Sequence, residues 1–138
     1  MKKIIYKLGS DVWMMTPTGV LSDEETAEKD VPNGVRYKII DDSDLPDINF
    51  QGAWECDFAK NENVTINLNK AKNITKERLR RERKPLLEAQ DVLFMKAQES
   101  GSDTKTIVAE KQRLRDITKS VDSCKTTDEL KALKCEAS

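Results

Sequence analysis

A chain of 138 residues suits one ordinary domain or two very small ones, and its net charge of -1 gives no overall pull towards nucleic acid or an anionic membrane. Charged residues make up 36% of it and mean hydropathy is -0.68, yet its apolar residues fall in periodic clusters, which argues against general disorder. With no histidine and three cysteines lacking Cys-x-x-Cys spacing (Cys56, Cys124, Cys135), neither a zinc site nor a disulfide scaffold is expected, and no cofactor is implied.

Lys3 to Leu8 reads as a first strand and Asp11 to Thr16 as its hairpin partner, turned by Gly9-Ser10. Pro17 to Gly19 breaks the ladder. Ser22-Asp23-Glu24-Glu25 has the spacing of a capping box and opens a short helix that Pro32-Asn33-Gly34 cannot continue. Val35 to Ile40 alternates Val35, Tyr37 and Ile39 against Arg36 and Lys38, which predicts a strand with one dry and one wet face. The acidic stretch Asp41 to Asp47 invites a calcium reading, but it lacks the glycine and distant glutamate of an EF-hand loop, so an Asx-turn is preferred and no metal is assigned. Phe50, Ala53, Trp54 and Phe58 supply bulky apolar mass, with Trp54 readable as a binding platform or, preferably, as packing. Val64 to Leu68 closes this part as a last short strand.

From Asn69 to Glu99 the spacing becomes helical, and Leu79, Leu86 and Leu93 form a heptad series. Pro85 lies inside it, which predicts a kink or break at Arg83 to Pro85. Gly101 ends this helix, and Ser102 or Asp103 caps a second whose stripe is Ile107, Val108, Leu114, Ile117 and Val121. The two fold back as a hairpin, and Thr126-Thr127-Asp128-Glu129 caps a short terminal helix. The fold class is therefore α+β: a small antiparallel β-rich head, residues 1–68, followed by a helical hairpin and oligomerisation region, residues 69–138. A 60-residue head buries only about 60% of the surface its unfolded chain exposes, so it needs cover from elsewhere.

The run Lys76, Arg78, Arg80, Arg81, Arg83 and Lys84 has two readings, a phosphate-binding site or charges wrapping a helix and paired with the acidic head or a partner subunit. The second is preferred, since no aromatic stacking residues interleave with the bases, and nucleic acid is not the expected partner. Cys124 and Cys135 are spaced to approach one another, but free buried thiols are the simpler expectation. No Gly-rich phosphate loop, nucleophile elbow or His-Glu-x-x-His is present, and the acids lie in turns and caps, so no enzyme and no catalytic residues are expected. No apolar run approaches the ~20 residues of a bilayer span, and Met1-Lys2-Lys3 opens only a brief strand-like segment, so neither a membrane partner nor an export signal is expected.

Asp30-Val31-Pro32-Asn33-Gly34 through Leu45-Pro46, then Phe50-Gln51-Gly52-Ala53-Trp54, Asn69-Lys70-Ala71-Lys72, Arg83-Lys84-Pro85-Leu86-Leu87, Leu93-Phe94-Met95-Lys96-Ala97, Lys111 to Asp116 and Thr127 to Lys131 together resemble a family of small proteins of tailed bacteriophages and prophages, placed with tail or tail-fibre genes. The resemblance runs in order through nearly the whole chain; the cysteines and the Lys-Cys-Glu-Ala-Ser ending fall outside its pattern. It implies synthesis in the host cytoplasm and a place in the virion as a tail, tail-fibre or neck structural protein, a homo-oligomer whose partners are other phage structural proteins. The alternative it implies is a tail-fibre assembly chaperone absent from the mature particle. The candidate interface residues are Leu79, Leu86, Leu87, Leu93 and Phe94 along the helical seam, with Trp13 and Trp54 anchoring the head; packing within the monomer is the competing role for each.

Overall fold

The computed structural model describes residues 1–60 and 62–135; the end of the divergent tail, residues 136–138, lies outside the described residues. The fold is α+β, and its contacts divide the chain into two compact units after Lys70.

The first unit is built on a three-stranded antiparallel sheet of order β2-β1-β3, from β1 (Lys2–Leu8), β2 (Asp11–Met15) and β3 (Tyr37–Asp41). Gly9 turns the hairpin at φ 61, a left-handed conformation that costs glycine little. Between β2 and β3 runs α1 (Asp23–Asp30), opened by the capping box: the Ser22 hydroxyl accepts from the Glu25 amide at 3.1 Å, and the Glu25 carboxylate accepts from the Ser22 amide at 3.2 Å.

Ile4 and Ile5 are consecutive and both 0% exposed. Successive strand residues point to opposite faces, so both faces of the central strand are covered. On one face Ile4 packs with Ala27 and Val31 of α1 and its C-cap. On the other, Ile5 and Val12 pack with Trp54, Cys56 and Val64, carried by the two-stranded ribbon of β4 (Trp54–Glu55) and β5 (Thr65–Ile66). Of the expected wet face, Arg36 just before β3 is exposed, but this second cover leaves all five residues of β3 itself, Lys38 included, half-buried. Lys38 shares the Ile5 row, yet its ammonium donates to the carbonyls of Lys60 and Glu62 at 2.9 and 2.7 Å and lies 5.7 Å from the Phe58 ring centroid. The charge tethers a loop at the edge of that cover.

The second unit contains most of α2 (Leu68–Ser100), then α3 (Lys105–Asp116), α4 (Lys119–Asp122) and α5 (Thr127–Ala132). Its fully buried apolar side chains include one from each helix: Leu79, Leu114, Val121 and Leu130. The expected second helix is broken after Asp116, so its stripe is shared by α3 and α4, and Val108 stands out in solvent. Capping at its start differs as well, with Thr104 in the N-cap position and the Asp103 carboxylate accepting from the Lys105 amide at 2.9 Å.

Of the kink or break expected at Arg83 to Pro85, the break is absent. α2 runs through it for 33 residues. Pro85 is exposed, so the Arg81 carbonyl that loses its amide donor lies on the outer side of the helix. Tertiary bonds from Arg78, just before the crowded turn, and Arg83, within it, hold the helix in register. Because the proline is tolerated and contributes nothing to helix formation, Pro85→Ala is expected to stabilise the second unit by about 1–3 kcal/mol in urea unfolding, with no loss of helix signal.

Candidate functional site

The basic run of α2 has a definite structural task. Helices end with carbonyls that lack an intrahelical donor, and three short helices end against this stretch. Arg78 donates from Nη2 to the carbonyls of Leu130 and Leu133, at the end of α5, at 3.0 and 2.9 Å, while its Nη1 pairs with Glu82 at 2.9 Å. Arg83 donates from Nη1 to the Arg115 carbonyl at 2.9 Å and to that of Leu114 at 3.4 Å, at the end of α3. At the end of α4, Lys72 reaches the Asp122 carbonyl at 3.2 Å and Lys76 the Asp122 carboxylate at 2.8 Å, and that contact holds the Asp122 carboxyl below its ordinary value. Arg80 pairs with Glu77 on its own helix. The partners of these bases thus lie in the second unit itself, where the sequence suggested the acidic head or another subunit. Arg81 and Lys84 remain exposed.

The cysteines are structural too. Cys56, Cys124 and Cys135 are all buried and free. Cys135 donates its thiol to the Leu79 carbonyl at 3.2 Å, and its own carbonyl accepts from Arg113 at 2.8 Å. Burial pushes the Cys124 and Cys135 thiols up, which keeps them protonated and poor nucleophiles. In the acidic loop the Asp41 carboxylate accepts from the Ser43 amide at 3.1 Å and the Ser43 hydroxyl at 2.9 Å, the Asx-turn arrangement, and these bonds draw its pKa to about 2. Among the described residues no group of three or more His, Cys, Asp or Glu could hold a metal ion, and no helix is long and apolar enough to cross a membrane. An open cleft in the first unit is bordered by both signs of charge, Lys7, Arg36 and Lys70 with Glu55, Asp57 and Glu62, so neither an anion nor a cation is favoured there. Glu55 is already engaged, by Asn67 at 2.9 Å and Lys70 at 3.3 Å.

The seven candidate interface residues separate into core and surface. Trp54 is a core residue, its indole Nε1 donating to the Asp47 carbonyl at 3.1 Å. Leu79 is 0% exposed, Leu86, Leu87 and Phe94 are half-buried, and Leu93 is 47% exposed, so the heptad emerges progressively into solvent along α2. Phe94 lies 5.2 Å from the Lys111 ammonium, which also pairs with Asp91 at 2.5 Å and so links α2 to α3. Trp13 is 49% exposed.

Two surfaces were anticipated only through Trp13 and Leu93, with their neighbours missed. Strand register places Trp13 and Tyr37 on either side of Tyr6, a cross-strand aromatic row beside α1. Around the distal half of α2, Val92, Met95 and Val108 are exposed beside Leu93. A signal for the second was present, since Val92 and Met95 lie one helical turn apart on a face that also carries Glu88, Lys96 and Glu99.

Arg78→Met is expected to destabilise the second unit by about 2 kcal/mol, because two carbonyls lose a charged donor; Arg78→Lys should recover only part, having no fork to span both. Urea melts of the three proteins check this. Asp41 has its pKa drawn down on folding, so its contribution is complete above about pH 4 and is lost as pH falls to about 2. Carboxyl NMR titration is expected to place its midpoint near 2, and Ser43→Ala to move it back up. Compared with protein-family models, curated proteins and solved structures, the chain finds no match in any of the three.

Proposed function

We propose that this chain is a non-enzymatic structural component of a tailed-bacteriophage particle, at the tail, tail fibre or neck, acting through protein–protein contacts that include self-association. The phage setting rests on the sequence resemblance described above. The observation that supports a contact-making role is the apolar surface of the helical hairpin, where Val92, Leu93, Met95 and Val108 are each roughly half exposed. A chain with 36% charged residues does not lack polar side chains for those positions, and apolar groups held in water cost solubility unless a partner covers them.

The interior supports the same reading. Its conspicuous reactive groups are consumed by architecture: arginines cap helix ends and thiols are buried. The outer surface is what remains for function, and it offers shape and apolar contact rather than an acid–base pair or nucleophile.

Quantitative mass spectrometry of purified mature particles tests the proposal. A fixed small-integer copy number relative to the tail or neck proteins is the expected result. Absence from particles with abundance in the infected-cell lysate would overturn it in favour of an assembly chaperone.

A further inference from the structure

We infer that the outer face of α2 pairs with the same face of a second copy, antiparallel, about a two-fold axis passing close to Val92. This deepens the contact-making role proposed above and rests on it, naming the partner and the register.

Leu86, Phe94 and Ala97 turn the inner side of this helical stretch towards its own unit, and Glu88, Ala89, Val92, Met95 and Lys96 are all exposed on the other side. Their order along the helix is self-complementary when reversed. Ala89 and Met95 lie three residues either side of Val92, and Glu88 and Lys96 four either side. In an antiparallel pair centred on Val92, residues equally distant from the centre in opposite directions meet across the interface. Each Met95 then covers the partner's Ala89, a long flexible side chain against a small one, and the two Val92 side chains meet at the axis. Each Glu88 faces the partner's Lys96, so two opposite-charge pairs flank the apolar centre. Glu88 and Lys96 form no ion pair among the described residues, which leaves both for such an exchange.

The alternative orientation is disfavoured by the same residues. A parallel, in-register pair would set Glu88 against Glu88 and Lys96 against Lys96, four charges in like-sign contact. Asp91, on the flank, is engaged by Lys111 at 2.5 Å and is neutralised within its own unit. The exposed Pro85 suits the end of such a face, because its missing amide faces away from the bundle interior and a partner's side chains cover only the ring. From Pro85 to Glu99 the helix is about 22 Å long, so the contact is a small one and the dimer dissociates on dilution.

Sedimentation equilibrium of the full chain over a concentration series is expected to show a monomer–dimer equilibrium. Glu88→Lys and Lys96→Glu, made singly, place like charges at both flanks and should each weaken dimerisation by about tenfold. The double variant should restore it, since both pairs re-form with signs exchanged. Val92→Asp, at an exposed site, should abolish the dimer while circular dichroism, and the melting temperature at a dilution where the wild type is monomeric, stay unchanged. A chain that remains monomeric throughout, or a dimer indifferent to all four variants, overturns the assignment. Particle incorporation separates this from the broader reading. A monomeric wild-type chain that is nonetheless built into particles, and is lost from them on Val92→Asp, overturns the second copy alone. A dimer with the charge-reversal signature that is absent from particles supports the pairing and overturns the virion role alone.

Discussion

The second unit depends on one interaction repeated along α2: a basic side chain donating into the carbonyl end of a following helix. α4 has 4 residues and α5 has 6, far below the length at which a helix holds itself together in water. Their last carbonyls would need water or a donor. Lys72 and Lys76 meet the end of α4, Arg78 that of α5 and Arg83 that of α3. Lys72, Arg78 and Arg83 therefore satisfy orphan carbonyls, Lys76 adds an ion pair to the Asp122 side chain, and together they fix where each helix stops against the long one. The cationic charge is well placed, because the carboxyl ends of helices carry partial negative charge. Arginine at 78 matters in kind as well as in charge, since its fork reaches two carbonyls and a carboxylate at once.

In the first unit the governing constraint is the sheet's need for cover on both faces. Three strands alone bury little, and the chain supplies one cover from each side of β3: α1 before it, the β4–β5 ribbon after it. Ile4 and Ile5 take one face each. Lys38 shows how a charged residue joins a covered face, laying its stem along apolar surface and spending its ammonium on two loop carbonyls.

With those demands met, what is left over is informative. The helical hairpin carries exposed Val92, Leu93, Met95 and Val108, and the sheet ends in a half-open row of Trp13, Tyr6 and Tyr37. Both are places where the fold had polar alternatives and did not use them. Surfaces of this sort, stable enough in water to avoid non-specific collapse and apolar enough to reward a matching partner, are what the contact-making role proposed above would use.

Local grammar was legible in the chain by itself. The Ser22–Glu25 capping box, the Gly9-Ser10 hairpin, the Asx-turn at Asp41, the helical spacing beyond Leu68 and the α+β class all follow from short-range rules: which side chains reach which backbone groups, and which residues tolerate which dihedral angles. The tertiary structure alone decided the rest. Whether Pro85 breaks α2 depends on whether the donor it removes falls on an outward or a packed side, and on bonds from Arg78 and Arg83 that hold the turn from outside. Whether Arg78 and Arg83 are free for phosphate depends on where α3 and α5 end, 31 and 52 residues further along. Whether Trp54 and Leu79 are surface or core depends on what packs over them, whereas the same residue types at Trp13 and Leu93 remain in solvent. Periodicity shows that a side chain belongs to a face; only the packing of distant segments determines whether that face is closed by the chain itself or left open.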